Sequence, residues 1–551
     1  MRSRTRHRLL ALGVGGLVAL GVAELALRAL DLPREASTSV EFRTVGDGVL
    51  EVRCGESNGQ PVTTVVAAKK PAGALRVVFA GDSTIHGFVL ADRSTIPRLF
   101  DAQLEHLTGR EVDAVRLAAP GLDATQVAAL ARFAADALDP DAIVVYTGNN
   151  EFLPAATETL RAQRAVALPD GLVTVIEVTR LGRLFVRALQ PSVTGGLVAP
   201  GTTAPSTWIE PESRTAPLRP LILERFAETL DALARDLRDR GTRLVFAVPV
   251  SNGREYPPIQ SAFSRALDER TQAAYRERLE RAARAISAGS LDVAGTEIEA
   301  LRAIDPDVAI LRHVEADWAR ARGEIDVARG LDLEAWDLDE NARAASASIV
   351  ARIVATAQRF ELPLLDARAA IERAPSPGEG GLFVDHCHPT VLGQAIVAAE
   401  WALVLAPILV PESSASVSRD RLLTPDEACA AAGIEPAALR ESQEMKFVGD
   451  LFYALTAPDP EPFLVRVRAQ LAGQDPTAPT LRHYVLADLV LGLLDGDRER
   501  AIERSARLVR EDPATAARLR AMVFGVDRLR QKLDALGLRV EDDGRFLPRT
   551  P

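Results

Sequence analysis

Three short apolar runs, each closed by a glycine-bearing turn and each followed by residues at helical spacing, constrain this chain more than any other feature. Arg76–Ala80 is a β-branched and aromatic run of the kind that forms a buried strand. Gly81 then serves as a tight-turn residue, and Asp82, Ser83 and Thr84 all favour a helix N-cap. Val112–Leu117 reads as a second strand ending in Ala118-Ala119-Pro120-Gly121-Leu122-Asp123. Asp141–Tyr146 reads as a third, ending in Thr147-Gly148-Asn149-Asn150-Glu151-Phe152. The helices expected between them are Ser94–Leu107 and Thr125–Ala137. This alternation implies an α/β fold with a parallel sheet and helices on both faces. Ligands in such sheets sit beyond the carboxyl ends of the strands, so the three turns should converge on one crevice.

The alternation resumes with a helix over Leu221–Arg240 and a fourth strand over Arg243–Val250, which leads into Ser251-Asn252-Gly253-Arg254 and Pro257-Pro258. The helix Ala344–Phe360 and the strand Leu362–Asp366 return to the sheet. A Pro/Gly loop, Ala374–Gly381, then delivers Asp385-His386-Cys387-His388-Pro389 before the helix Val391–Leu405. A helical insertion at about 270–335 interrupts this domain. Within it Gly289-Ser290-Leu291-Asp292-Val293-Ala294 recurs as Gly323-Glu324-Ile325-Asp326-Val327-Ala328, an offset of 34 residues. That period is the one of tetratricopeptide repeats, and a protein partner is a candidate for such helices. Two copies are fewer than a self-standing stack needs, and chance likeness in Ala-rich helices is the competing explanation. The expected units are thus a lead-in segment at 34–74, a sheet domain at 75–410 and an all-α region at 411–551, read as scaffold or docking surface.

Arg2, Arg4, Arg6 and Arg8 precede an uncharged run, Leu9–Ala23, whose helical pattern continues through Glu24 and Arg28 to Leu30 and stops at Pro33. A helix over Leu9–Leu30 would span about 33 Å, enough for a hydrocarbon core of about 30 Å. The arginines should stay cytoplasmic, which puts the rest of the chain outside a bacterial inner membrane, in the periplasm or beyond. Residues 1–33 are therefore expected to be a membrane anchor. A cleaved signal peptide, with Gly21-Val22-Ala23 as the small-residue site, is the competing reading, and both export the chain. The formal net charge of −11 argues against a nucleic-acid-binding surface. Cys54, Cys387 and Cys429 are too widely spaced to suggest a metal or disulfide framework.

Acyl transfer needs a nucleophile, a base, a group that orients the base and donors for the oxyanion. Four turns carry such groups. Ser83 is the candidate nucleophile, His388 the base, and Asp385, three residues before it, the carboxylate that fixes its tautomer. The N–H groups of Ser83 and Gly121 and the amide of Asn150 are the candidate oxyanion donors. Blander roles compete: Ser83 as a helix cap, Asn150 as a turn residue, and His86 as a rival base. Asp385, His386, Cys387 and His388 have metal-ligand chemistry, but adjacent side chains diverge and structural zinc sites separate their pairs more widely. No metal or cofactor is expected.

Gly81-Asp82-Ser83, Pro120-Gly121, Gly148-x-Asn150-Glu151 and Asp385-x-x-His388-Pro389 follow the order of the four blocks of the SGNH (GDSL-like) hydrolases, and Leu75–Leu405 resembles that family. Three positions depart from its pattern: Thr84 stands where Leu is common, no Asn precedes Gly121 closely, and Glu151 replaces the more usual Asp. Asn149-Asn150-Glu151-Phe152, the Asn252–Pro258 turn, the anchor and the repeats together resemble a membrane-anchored bacterial branch. The resemblance implies a flavodoxin-like three-layer sandwich and hydrolysis of acetyl or acyl esters on a small molecule, glycan or lipid. Two other readings stay open: an O-acyltransferase acting on a cell-surface glycan through the same triad, and a non-catalytic repeat scaffold. A buried or misplaced Ser83 would count for the scaffold.

Overall fold

The computed structural model describes residues 40–57, 60–87, 95–152, 208, 218–374, 381–413 and 417–435. Between 438 and 549 it describes all but 439–444, 448, 452, 455–460, 473–481, 512 and scattered positions from 514 to 526. The anchor expected at 1–33 lies outside the described residues.

The lead-in segment is a three-stranded antiparallel sheet of β1 (Phe42–Gly46), β2 (Val49–Ser57) and β3 (Gln60–Ala67). It is tied to the strand β5 (Val112–Ala118) through Thr64 Oγ1, which donates to the Arg116 carbonyl at 2.9 Å. Five parallel strands form the main sheet: β4 (Leu75–Gly81), β5, β6 (Ala142–Tyr146), β7 (Leu244–Ala247) and β8 (Leu364–Leu365), in the spatial order β5-β4-β6-β7-β8. Every residue of β4 and β6 is buried, which is why these strands read as continuous rather than alternating apolar runs.

Side chains still alternate across β4. Val77 and Phe79 share a core with Phe100 and Leu104 of α2 (Ile96–Thr108) and with Trp401 and Leu405 of α11 (Val391–Leu409). On the other face α3 (Ala124–Ala137) packs on β4 and β6, and α4 (Arg219–Asp239) packs on α3 and α9 (Ala347–Arg359). The chain leaves β4 toward β5 on one side and reaches β6 on the other, so the strand order reverses at β4. The carboxyl ends of β4, β5 and β6 therefore surround a topological switch point. The four-residue helix α1 (Ser83–His86) begins there.

The insertion forms two helix pairs, α5 (Glu269–Ser287) with α6 (Leu291–Ile304) and α7 (Ala309–Ala321) with α8 (Ile325–Leu338). The two copies of the repeated hexapeptide occupy equivalent places, at the turn and first residues of α6 and of α8. The region after 410 corrects one expectation, because it is not all-α. It ends in an antiparallel pair, β9 (Leu538–Val540) with β10 (Phe546–Pro548). Leu538, Val540 and Phe546 are buried while Arg539 is exposed, a period of two that overrides the helical pattern before it. The main core also runs through position 410: Phe447, Val467, Leu489 and Leu529 belong to the same apolar cluster as Val77 and Trp401. Among the described residues α11 is long and apolar enough to cross a membrane, but it is 56% buried and carries core residues of the sheet layer.

Candidate active site

The turn after β4 is built for close approach. A Cβ on Gly81 would come within 2.5 Å of Ile85 Cγ1 and 3.2 Å of the Tyr146 carbonyl, so glycine is required by crowding against α1 and β6. Asp82 is the N-cap of α1, its carboxylate accepting from the Thr84 N–H at 2.9 Å. Ser83 is thus the first helical residue, one of those whose N–H has no intrahelical acceptor.

Ser83, His388 and Asp385, 305 residues apart at the extremes, form one hydrogen-bonded line. His388 Nε2 lies 2.8 Å from Ser83 Oγ, and Nδ1 lies 2.7 Å from Asp385 Oδ2. A carboxylate at Nδ1 holds the neutral ring's proton there and leaves Nε2 as acceptor for the serine hydroxyl. Asp385 is fixed in turn by the backbone N–H groups of Cys387 and His388, at 3.0 and 2.9 Å. Burial disfavours charge on both groups, yet their mutual attraction outweighs it: Asp385 is held below, and His388 well above, the ordinary range. His86, the rival base, closes α1 with its carbonyl accepting from Arg116 Nη1 at 2.7 Å.

Two of the candidate oxyanion residues, Gly121 and Asn150, lie on turns bonded to each other. Asn150 Nδ2 donates to the Leu122 carbonyl at 2.9 Å, inside the turn that carries Gly121, whose φ is 76°. An amide has two N–H groups, and this bond uses one. Asn149 locks the third block to the first: its Nδ2 donates to Asp82 Oδ2 at 3.1 Å and its Oδ1 accepts from the Ala345 N–H. Burial pushes Asp82 up to about 6. Glu151 is buried too, accepts from the Ala124 N–H at the start of α3, and is pushed up to about 8 by that burial. Glu151 therefore anchors a helix rather than facing the nucleophile. Ser83 keeps 6% of its surface exposed and His388 keeps 8%.

The metal-ligand set behaves differently from its sequence expectation. Ligand atoms of Asp385, His386 and Cys387 lie within 4.8 Å of one another, so these side chains converge. Two of the three are already engaged: Asp385 accepts from His388, and His386 Nδ1 meets Tyr453 Oη at 3.0 Å. Burial pushes the Cys387 thiol up to about 11. All three cysteines are buried and unpaired with one another.

Two features were missed in the sequence. The loop bearing Asp385 and His388 is held by Tyr256 and by Tyr453, one from the turn after β7 and one from the region after 410. A cavity of about 240 Å³ also lies between the insertion and that loop, walled by Arg254, Arg329, Asp332 and Gly381–Phe383; neither Ser83 nor His388 lines it. Tyr453 stands in no motif, and Tyr256 lies within the Asn252–Pro258 turn with nothing in that turn to mark it out, so only contact across the fold reveals their role. No protein-family model matches the sequence, and no curated protein does.

Proposed function

We propose that this chain is a serine hydrolase of the SGNH type that cleaves carboxylic esters. The single observation that carries the reading is the line Ser83–His388–Asp385, with contacts of 2.8 and 2.7 Å at a switch point of a parallel sheet. Ser83 Oγ attacks the ester carbonyl carbon while His388 Nε2 takes its proton, and Asp385 stabilises the imidazolium. The N–H groups of Ser83 and Gly121 and the Asn150 amide receive the oxyanion. Collapse breaks the ester C–O bond, and His388 returns the proton to the leaving alkoxide. Water then attacks the acyl-Ser83 ester with His388 as base, releasing the carboxylic acid. The strand order β5-β4-β6-β7-β8 supports a flavodoxin-like sandwich as the frame. The arginine-led apolar run at the N-terminus supports export, with an inner-membrane anchor. Acetyl or acyl groups on a glycan, lipid or small molecule are the proposed substrates.

The test is p-nitrophenyl acetate hydrolysis by residues 34–551 beside Ser83→Ala and His388→Ala. Turnover should disappear in both, and its acid limb should lie at or above the ordinary imidazole value, since Asp385 raises His388. Unchanged turnover in Ser83→Ala sinks the proposed nucleophile. The small exposure of Ser83 is the one observation that favours a non-catalytic scaffold. Labelling with a fluorophosphonate decides between the two: an activated Ser83 is labelled, and a vestigial one is not.

A further inference from the structure

Asp385 sits on a loop without regular structure, between Val384 and His386, and both of those neighbours are gripped by tyrosines. Tyr256 Oη donates to the Val384 carbonyl at 2.9 Å, and Tyr453 Oη meets His386 Nδ1 at 3.0 Å. The two rings pack on each other with centroids 4.5 Å apart, and each lies against Phe463. The Asn252 N–H adds a bond to the His386 carbonyl at 2.9 Å.

Beneath the tyrosines is a buried ionic cluster. Asp450, fully buried, accepts from Arg466 at 2.9 Å, lies 3.4 Å from Lys446 Nζ, and has Tyr256 Oη 3.4 Å from its Oδ1. Lys446 also reaches Glu255 at 3.0 Å, so the cluster clamps the residue beside Tyr256 to the segment that carries Tyr453. The approach is close enough to exclude side chains. A Cβ on Gly449 would meet the Val384 carbonyl oxygen at 2.1 Å.

We infer that Tyr256 and Tyr453 are positioning residues for Asp385, so that the region after 410 supplies part of the active-site framework. The inference rests on the reading of Ser83, His388 and Asp385 as a triad. A base and its orienting carboxylate must be held within about 0.5 Å of productive geometry, and a loop does not hold itself that well. The tyrosine pair fixes the backbone on one side of Asp385 and the side chain on the other. Mere packing would need the two rings, and not the two hydroxyls aimed at the residues flanking the carboxylate.

Tyr256→Phe, Tyr453→Phe and the double variant, made in the full chain, keep the rings and remove the hydroxyls. The double variant should lose about 10- to 100-fold in kcat for p-nitrophenyl acetate, the scale of a small misplacement, with KM near wild type and a melting temperature lowered by the orphaned Val384 carbonyl and His386 Nδ1 but still well above that of the assay. The second readout needs no turnover. The low-field Nδ1 proton resonance of His388, assigned by its loss in His388→Gln, reports the bond to Asp385 directly. Its titration midpoint should fall in the double variant as Asp385 loosens. The other titratable groups facing His388 are His386 and Cys387 on its own loop and Asp82 at the N-cap of α1; Tyr453→Phe removes the hydroxyl partner of His386, so the midpoint must fall in Tyr256→Phe as well, which touches none of the three. A resonance with unaltered midpoint and exchange in the double variant overturns the inference, whether or not the chain hydrolyses esters. Absence of both turnover and fluorophosphonate labelling in wild type, with a resonance that still shifts, would refute the esterase reading and leave the positioning role standing.

Discussion

The insertion α5–α8 and the region after 410 look alike in sequence, both Ala- and Arg-rich and helical, yet they are built on different principles. The insertion has its own cores: Tyr275, Leu279, Ile298, Leu301, Leu311 and Val314 form one cluster, and Ala316, Ala319 and Ala328 another. The later region has none of its own among the described residues, because Phe447, Val467, Leu489 and Leu493 continue the core of the sheet domain. Their buried charges differ in the same way. Glu315 is neutralised within the insertion by Arg302 and Arg312, whereas Asp450 is bonded into the cluster that reaches Tyr256 and the loop bearing Asp385 and His388. Helical periodicity states that a face is apolar and not what covers it. Where the cover is the insertion itself, the segment can open locally; where the cover is the sheet layer, it opens with the whole domain.

The largest expected effect separates the two regions directly. Phe447→Ala should cost about 3–5 kcal/mol and Ile298→Ala about 2–5 kcal/mol, both being fully buried truncations. Calorimetry should show the first lowering the main transition, with the proposed p-nitrophenyl acetate turnover lost in parallel. The second should lower a separate, earlier transition, with activity kept below it. If Ile298→Ala lowers a single shared transition, the insertion is not an independent unit.

Much of the candidate site could be read in the sequence because its chemistry is local to each turn. Gly81-Asp82-Ser83, Gly148-Asn149-Asn150 and Asp385-x-x-His388 each carry their residues within one short segment, and the parallel order brings those segments to one edge. The apolar runs gave the strands for the same reason. Contacts across the fold were hidden. Arg76 reads as one polar residue at the start of a strand. In the structure it is 1% exposed, donating to Asp113 and to the carbonyls of Ala67, Ala68 and Leu138. Tyr453 lies 67 residues from His386, and no spacing rule links them. The closing β9–β10 pair escaped because strands of three residues are too short for alternation to register against a charged background.

Two buried histidines sharpen the comparison with opposite signs. His386, on the loop between Asp385 and His388, is pushed down to about 4 from 6.5 by burial. The unfolded chain therefore takes up that proton first, and acidification from pH 6.5 to 4 costs the folded state up to about 3 kcal/mol through this group. His388 does not disturb that window: with its folded value raised, its contribution is complete below about 6.5. His313, in the insertion, is disfavoured by burial but raised overall by Asp317 and Asp332. Its contribution is full below about 6.5 and is lost as pH rises through the raised value. Relative to wild type, His386→Asn should therefore gain stability as pH falls from 6.5 to 4, in urea unfolding of the main core. His313→Asn should be weakest relative to wild type at about pH 6 and recover as pH rises, in the insertion's transition. Slopes of the same sign would mean that the two environments are not distinct.

The smallest effect tests the same division at two helix starts. Thr424 caps α12 (Pro425–Ala431) in a capping box, its side chain accepting from the Glu427 N–H while Glu427 reaches back to the Thr424 N–H. That helix packs on α2 and α11, inside the main core. Asp268 caps α5, accepting from the Thr271 N–H at 2.9 Å. Thr424→Ala should cost about 1 kcal/mol, and the cost should register in the main transition because α12 cannot fray without uncovering the sheet layer. Asp268→Ala should shift only the insertion's transition and leave p-nitrophenyl acetate turnover at wild-type level. A cap is a local device, so any shift of the main transition by Asp268→Ala must travel through packing. The paths include the buried Asp339 bonds to the Ile259 and Gln260 N–H groups, the contact of Trp336 with Cys387, the Arg329–Glu372 ion pair and the Ile310 N–H bond to Ser261 Oγ. Such a shift would make those joints, rather than the separate cores, the rule by which this molecule unfolds.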